Sequence, residues 1–136
     1  MRLLKYERPN FTPSKPMIKA GKYIRIVSPW IINILSYNDK KVTAMAYWPF
    51  ILFRHLNYHN IYEIENHELI HHQQQKELLV VPFYLIYFLH FLFSIIRFLN
   101  YKKAYYNVCF EKEAYAHEKD FNYLKSRKWG AWFKYL

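Results

Sequence analysis

Three side chains in the middle of the chain have the types and the spacing of a catalytic metal site. His67 and His71 stand four residues apart in the segment HELIH. On a helix this spacing puts both imidazoles on one face, within reach of one metal ion. Glu68 follows His67 directly, and its carboxylate would face the metal-bound water as a general base instead of binding the metal. The pattern predicts two nitrogen ligands, one proton acceptor and an open coordination position.

The alternative is that the pattern arose by chance. In a chain this rich in histidine and glutamate, an accidental match is expected roughly once in fifty sequences. His67 and His71 would then be a structural pair on a helix surface. The match falls in the middle of a predicted helix, where the mechanism requires it, and this position favours the metal site.

The segment His67-Glu68-Leu69-Ile70-His71 resembles the zincin metallopeptidases. The branch with the long motif HExxHxxGxxH needs a glycine and a histidine where this chain has Gln74 and Glu77, so that branch is excluded. The branch with an aspartate ligand is excluded as well, because no Gly-Thr-x-Asp segment is present. The resemblance is therefore to the gluzincins, whose third ligand is a glutamate. The stretch YWPFIL and the later FEKEAYAHE are also similar to small HExxH proteins of this size, for which no activity is established.

The gluzincin resemblance implies a third ligand on a later helix, often within Glu-x-x-Ala-Asp or Asn-Glu-Ala. Glu113 and Ala116 match the first form, and Glu113 with Ala114 matches the second. The implied zinc ligands are His67, His71 and Glu113. The aspartate that orients a ligand imidazole in the family is replaced by His117, which could orient a ligand in one tautomer or be a ligand itself.

The helix that carries HELIH is predicted over residues 60–81. Asn60 is a good N-cap, and Glu63 stands three residues later, as in a capping box. No helix breaker follows until Pro82.

Two further helices are predicted after it. Residues 83–99 continue as an apolar helix, with a kink at Pro82. Asn107 would cap the helix of residues 107–126, which carries Glu113, and glutamates in its first turns suit the helix dipole.

The N-terminal third predicts a small sheet. Residues 1–20 carry three prolines and are expected to form an extended arm. Residues 21–56 contain an alternating β-branched run, KYIRIV, and a short helix that starts at Pro29. Residues 42–53 are rich in strand formers, and Pro49 restricts them to an edge strand or a bulged one. The chain is therefore expected to be one α+β domain of residues 1–136, mostly helical, with a small antiparallel sheet.

The apolar stretch of residues 78–96 carries no formal charge and qualifies as a candidate transmembrane helix. A crossing here would place His71 and Glu113 roughly 30 Å apart, on opposite sides of the hydrocarbon core. They could not share a metal. We therefore expect the central buried helix of a small domain, with partial contact to a membrane surface.

Other residues give weaker signals. Tyr84, Tyr87 and His90 recur at helical spacing, as suits a face that meets polar groups. His72 is expected at the surface, because it points about 100° away from His71. Cys109 is expected to be a small buried hydrophobic residue. The basic and aromatic end, KSRKWGAWFKYL, could bind anionic lipid or nucleic acid, or could pack its aromatic rings on the core.

The composition excludes several classes of protein. Because only Gly21 and Gly130 are present, phosphate-binding loops and dinucleotide fingerprints are excluded. The single cysteine excludes an internal disulfide. The net charge of +10 favours anionic partners, either lipid or nucleic acid. The first residues do not resemble a signal peptide, so a cytoplasmic location is expected, with peripheral contact to a membrane allowed.

These signals predict a minimal zinc-dependent metallopeptidase, with Zn²⁺ as its cofactor and a peptide or protein as its substrate. Glu68 would activate the zinc-bound water for attack on the peptide carbonyl. One alternative is a non-enzymatic basic protein that binds a membrane surface or nucleic acid and has a structural or vestigial metal site. A zinc hydrolase with a substrate other than a peptide is a third hypothesis.

Overall fold

The computed structural model of the protein describes residues 2–3, 23–58 and 60–136. Most of the predicted arm therefore lies outside the described residues. The fold is α+β and mostly helical, as predicted. In chain order the described elements are β1 (Arg2–Leu3), β2 (Ile24–Val27), α1 (Pro29–Leu35), β3 (Val42–Tyr47), β4 (Phe50–Phe53), α2 (Ile61–Leu78), α3 (Val80–Phe98), α4 (Tyr101–Asn107), α5 (Cys109–His117), α6 (Tyr123–Ser126) and a 3₁₀ helix (Ala131–Tyr135).

The strands form one mixed sheet in the order β1-β3-β4-β2. β3 pairs antiparallel with both β1 and β4, whereas β2 pairs parallel with β4. The prediction of a purely antiparallel sheet is wrong, because α1 lies between β2 and the β3–β4 hairpin. This connection carries the chain from β2 to β3, one strand position further on, and β4 then turns back into the gap and runs in the same direction as β2.

The segment predicted as one strand over residues 42–53 is a hairpin. Its turn lies at Trp48 and Pro49, which are joined by a cis peptide bond. Tyr47 pairs with Phe50 beside the turn. Proline has no N–H for a ladder bond, and here it ends the pairing instead of forming a bulge within one strand.

The helix that carries HELIH begins close to its predicted start and ends earlier than predicted. α2 starts at Ile61, but the Asn60 side chain makes no capping hydrogen bond, so the predicted capping box is absent. Leu79 ends the helix with φ +63° and ψ 151°. Pro82 then lies in the first turn of α3, where its missing N–H leaves no helical bond unmade. The chain is therefore broken at Leu79 and not kinked at Pro82.

The helix predicted over residues 107–126 is divided. Asn107 caps no helix, because it is the last residue of α4; the N-cap of α4 is Asn100, whose side chain accepts the Lys103 N–H at 2.9 Å. Val108 is extended and separates α4 from α5. α5 is consequently a short helix of nine residues that begins at Cys109.

α2 lies at the centre of the domain. Its residues Ile64 and Leu69 pack on Ala44, Ile51 and Phe53 of the sheet. A second apolar cluster joins the start of α5 to the inner face of α3 and to the 3₁₀ helix.

α3 is not the buried central helix that the sequence predicts. Only Phe83 and Ser94 of its 19 residues are buried. Among the described residues it is the one helix that has the length and the composition to cross a membrane.

Candidate metal centre

The two histidines of HELIH meet on the inner face of α2. His67 and His71 are both buried, and their Nε2 atoms lie 3.2 Å apart. The four-residue spacing on a regular helix produces this pairing. Both rings face Glu111 of α5.

A carboxylate of α5 completes the cluster. The oxygens of Glu111 lie 3.4 Å from Nε2 of His67 and 3.4 Å from Nε2 of His71. One ligand atom from each of the three residues falls within 4.8 Å of the others, and all three side chains are buried. His71 precedes α3 and Glu111 follows it, so the two halves of the cluster meet on one side of that helix.

Two tyrosine hydroxyls hold the Glu111 carboxylate from the other side. Tyr87 donates to Oε1 and Tyr105 donates to Oε2, each at 2.7 Å. Burial, together with the charge of Glu111, raises the pKa of both tyrosines well above the usual range. The phenols therefore stay protonated and act as donors, which keeps the carboxylate directed at the histidines.

The cluster attracts positive charge. Burial opposes the ionisation of Glu111, but neighbouring positive charge and hydrogen bonds, including those of His71 and His67, hold the pKa of Glu111 well below its usual range. Burial also lowers the pKa of His67, yet its contacts with Glu111 and Glu118 outweigh burial and raise that pKa. Positive charge on the imidazoles is therefore favoured beside the Glu111 carboxylate.

The outer nitrogen of each imidazole has its own partner. Nδ1 of His67 lies 3.1 Å from Oε2 of Glu118, and Nδ1 of His71 lies 2.8 Å from Oε1 of Gln74. Both partners present oxygen acceptors, so each Nδ1 must carry the proton. When the imidazoles are neutral, as metal ligands must be, each Nε2 is left as an acceptor that faces the cluster.

Glu113 does not lie in the cluster. Glu111 occupies the position beside the two histidines that the sequence predicts for Glu113. The two residues are about 200° apart around a helix. Oε1 of Glu113 binds Arg127 and accepts from the Tyr123 hydroxyl at 2.9 Å. Oε2 accepts from Nε2 of Gln74 at 3.0 Å. Glu113 thus orients Gln74, which in turn orients His71.

Arg127 joins two buried carboxylates behind the cluster. It forms ion pairs with Glu77 at the end of α2 and with Glu113 of α5. All three side chains are almost fully buried. This ion-pair network fixes α5 against α2 and thereby sets the distance between Glu111 and the histidines.

His117 lies outside the cluster, and its contacts match neither role that the sequence predicts for it. Its ring stacks on Tyr123 with centroids 3.6 Å apart, and its Nε2 lies 2.8 Å from the Tyr135 hydroxyl. The orienting role falls to its neighbour Glu118. Asn66 holds this segment in place, because its amide donates to the backbone oxygens of His117, Glu118 and Asp120.

Glu68 is buried on α2 beside the cluster. Its charge acts on His67 and also, after burial, raises the pKa of Tyr47 and Tyr84. These two tyrosines line a cavity of about 170 Å³ that reaches His71. Glu68 itself is fully buried and does not form part of the cavity lining. The full lining of the cavity is Met45, Ala46, Tyr47, His71, Gln75, Phe83, Tyr84 and Tyr87.

Several weaker predictions can be compared with the structure. His72 is buried and bonded to the Phe50 carbonyl at 2.9 Å, so its predicted surface position is wrong. Cys109 is buried, as predicted. The face of α3 with Tyr84, Tyr87 and His90 does meet polar groups: the Ala46 carbonyl, the Glu111 carboxylate and the Cys109 N–H.

Reasoning from sequence missed Glu111, although a signal for it exists. Glu111 and Ala114 have the same Glu-x-x-Ala spacing as Glu113 and Ala116. The helix start at Cys109 decides between the two alternatives, because it sets which face each glutamate occupies. The contacts of Gln74 and Glu118 with the histidines have only a positional signal in the sequence. Gln74 stands three residues after His71, and Glu118 stands seven residues after Glu111.

Comparison with known proteins finds no family model, no curated protein and no solved structure that matches this chain.

Proposed function

We propose that the protein is a zinc-dependent hydrolase, and specifically a minimal metallopeptidase in which His67, His71 and Glu111 hold Zn²⁺. The observation that carries this proposal is the direction of the acceptor atoms. Because Glu118 and Gln74 take the Nδ1 protons, both Nε2 atoms and the Glu111 carboxylate face one another as acceptors at 3.2–3.4 Å. A metal ion supplies the positive charge that such an arrangement needs.

The donor set fits zinc better than a hard cation. Two imidazole nitrogens and one carboxylate are typical ligands of catalytic zinc, whereas calcium and magnesium prefer oxygen ligands throughout. Three protein ligands leave one coordination position for water or substrate. When bound, zinc supplies Lewis acidity, which acidifies water and polarises a carbonyl group.

Glu68 is the proposed general base. Its carboxylate takes a proton from the attacking water while the water oxygen bonds to the carbonyl carbon. It then delivers that proton to the departing amine nitrogen as the C–N bond breaks, so that the carboxylate is regenerated. Glu68 is not needed to hold the metal, because the two histidines and Glu111 do so.

The cavity beside His71 is the proposed site for a substrate side chain. Its polar groups are engaged with each other: the Tyr84 hydroxyl donates to the Ala46 carbonyl at 2.9 Å, and Gln75 donates to the same oxygen at 3.0 Å. The remaining walls are apolar or aromatic. An uncharged side chain up to the size of leucine or phenylalanine suits this space.

In zincins an edge strand usually aligns the substrate by backbone pairing, and residues 42–53 are the candidate for that strand here. β1 already pairs with β3 at Val42 and Ala44, and side chains of α2 and α3 take the Ala46 carbonyl. A substrate strand could pair with this edge of β3 only if β1 were displaced from it. The proposal therefore relies on the cavity more than on strand addition.

The test compares zinc content and hydrolysis in three variants. Protein purified without a metal-binding tag should carry one zinc per chain. Glu111→Gln should lose it, whereas Glu113→Gln, a matched change two residues away, should keep most of it. Glu68→Gln should keep zinc and fold, and should lose a factor of about 10² to 10⁴ in the rate of peptide-library cleavage.

The alternatives give different results in the same experiments. A non-enzymatic protein with a structural site would hold zinc, but neither the wild type nor Glu68→Gln would cleave any peptide. A hydrolase of another substrate class would leave the peptide library intact yet show Glu68-dependent cleavage of ester or amide substrates. The localisation that we propose with this function is cytoplasmic, with peripheral contact to a membrane.

A further inference from the structure

α3 presents an unusually apolar face to solvent. Eight large apolar side chains recur along one side of the helix and at its end, and each is 43–88% exposed. Contiguous apolar patches beyond a few hundred Å² usually mark an interaction site. We call this face the outer stripe; its members are Val81, Leu85, Phe88, Leu89, Leu92, Phe93, Ile96 and Leu99.

The opposite face of α3 is firmly attached to the domain. Phe83 is buried in the second apolar cluster. Along the same face Tyr87 donates to Glu111 at 2.7 Å, His90 accepts the Cys109 N–H at 3.3 Å, and Ser94 bonds to an amide of α4. These contacts fix the rotation of α3. The outer stripe is thus a permanent surface of the fold.

Basic residues flank the outer stripe at both ends of α3. The chain contains no acidic residue from Leu78 to Phe110. Arg97, Lys102 and Lys103 are exposed at the C-terminal end of α3, and Lys76 is exposed just before its N-terminal end.

A shallow groove of about 500 Å³ lies at the C-terminal end of α3. Its lining combines two lysines, two asparagines and two aromatic rings: Phe98, Asn100, Lys102, Lys103, Tyr106 and Asn107. Ammonium and amide donors of this kind suit a phosphate group.

We propose that the outer stripe docks on an anionic membrane surface. α3 would lie in the plane of the membrane with the stripe at the boundary between headgroups and acyl chains, and Lys102 and Lys103 would contact lipid phosphates. A helix with one apolar face, flanked by basic residues, has the character of an interfacial anchor. Anionic lipid also complements a chain with a net charge of +10.

Two other arrangements fit the same features less well. A second copy on the stripe would bring two chains of charge +10 together and place the basic ends of the helices in one interface. A span would carry Tyr87, in the middle of α3, to the bilayer centre. Its hydrogen-bond partner Glu111 and the whole buried ionic cluster would then have to enter the hydrocarbon, which is costly.

The test uses vesicle flotation of the intact protein. We expect flotation with vesicles of phosphatidylcholine and phosphatidylglycerol, and much weaker flotation with phosphatidylcholine alone. The triple variant Leu85→Ser/Leu89→Ser/Phe93→Ser should bind at least about tenfold less. Lys102→Ala/Lys103→Ala should also bind less, whereas Lys119→Ala/Lys125→Ala, which removes the same charge from exposed positions outside α3 and α4, should bind like wild type.

A second measurement covers the case in which the triple variant does not fold. Because Cys109 is buried, a Phe88→Cys variant can be labelled with a polarity-sensitive dye. Its emission should shift to the blue with anionic vesicles, while the same dye on a Lys119→Cys variant, at an exposed position after α5, should not respond.

Four results would overturn the proposal. The first is an absence of flotation together with an unshifted Phe88→Cys dye. The second is a lipid-free dimer that the triple variant abolishes, which would assign the stripe to a second copy. The third is resistance to alkaline extraction, which would indicate a span. The fourth is binding to duplex DNA but not to vesicles. None of these measurements uses hydrolysis, so they are independent of the proposed function.

Discussion

Oε2 of Glu118 lies 3.1 Å from Nδ1 of His67, on the side of the ring opposite to Glu111. The two residues are 51 positions apart in the sequence, and they meet because Asn66 binds the backbone at the end of α5. The contact determines which nitrogen of His67 carries the proton. It also raises the basicity of the nitrogen that faces the cluster.

Glu118→Ala should therefore weaken zinc binding by about 10- to 100-fold. Glu118→Gln should have a smaller effect, because its amide oxygen can still accept the Nδ1 proton. Competition with a chromophoric chelator measures the dissociation constant, and Lys119→Ala, an exposed neighbour, serves as the control. Equal affinities for Glu118→Ala and wild type would show that the contact does not orient the ligand.

Removing the metal should destabilise the wild-type protein. A ligand that binds only the folded state at a hundred times its dissociation constant contributes about 2.7 kcal/mol. A chelator should thus lower the thermal unfolding midpoint of wild type and leave that of Glu111→Gln unchanged. If both proteins lose the same stability, zinc binds somewhere other than the cluster.

Glu113→Ala should cost about 3–5 kcal/mol of unfolding free energy, because it leaves Arg127 buried with half of its charge partners missing. The folded fraction should still bind zinc, though more weakly, since Glu113 lies outside the cluster and acts on it through Gln74 and through the Arg127 network. Urea unfolding of the metal-free protein gives the free energy. Arg97→Ala, an exposed charge on α3, should stay within about 0.5 kcal/mol of wild type. If the folded fraction of Glu113→Ala bound no zinc, Glu113 would again be a candidate ligand.

Leu79→Gly should be more stable than Leu79→Ala by about 1 kcal/mol. Leu79 has φ +63° and ψ 151°, a region that residues with a Cβ rarely occupy and that glycine tolerates. Its side chain is largely exposed, so both variants lose little packing. Denaturant midpoints compare the two directly. An alanine variant as stable as the glycine variant would mean that the joint between α2 and α3 is unstrained.

Cys109 should react slowly with thiol reagents in the folded protein. Burial raises the pKa of its thiol from 9.0 to about 11, so at pH 8 the thiolate fraction is about 100-fold below that of an unperturbed thiol. Raising the pH toward 11 should speed labelling, as should unfolding in urea. Rapid labelling at pH 8 without denaturant would contradict the buried position.

The chemistry of the site could be predicted where it depends on one helix. His67 and His71 are local neighbours, and four-residue spacing on α2 is enough to bring their rings together. Glu111 could not be distinguished from Glu113, because the choice depends on where α5 begins. That start is set by the extended residue Val108, which carries no strong sequence signal.

The elements around the site show the same difference between features that a local pattern specifies and features that depend on the tertiary arrangement. Pro29 marks the start of α1, as predicted, since proline suits the first turn. The apolar composition of α3 predicted a buried helix, but composition does not distinguish a helix that faces a core from one that faces a lipid surface. The parallel pairing of β2 with β4 depends on the path of α1 over the sheet, which no local pattern specifies.

The contacts around the metal centre define a search pattern for relatives of this chain. His67, Glu68, His71, Gln74, Glu111 and Glu118 give HExxHxxQ, then 36 residues, then Glu, six residues and Glu. Each of these positions has a distinct contact or a proposed role in the centre. The 36-residue interval contains α3 and α4, and its length is free to vary. The spacing within the first group, His67 to Gln74, and within the second, Glu111 to Glu118, is set by helix geometry. Sequences that keep HExxH but lose the glutamine and the last glutamate should have lost the orientation of their histidines.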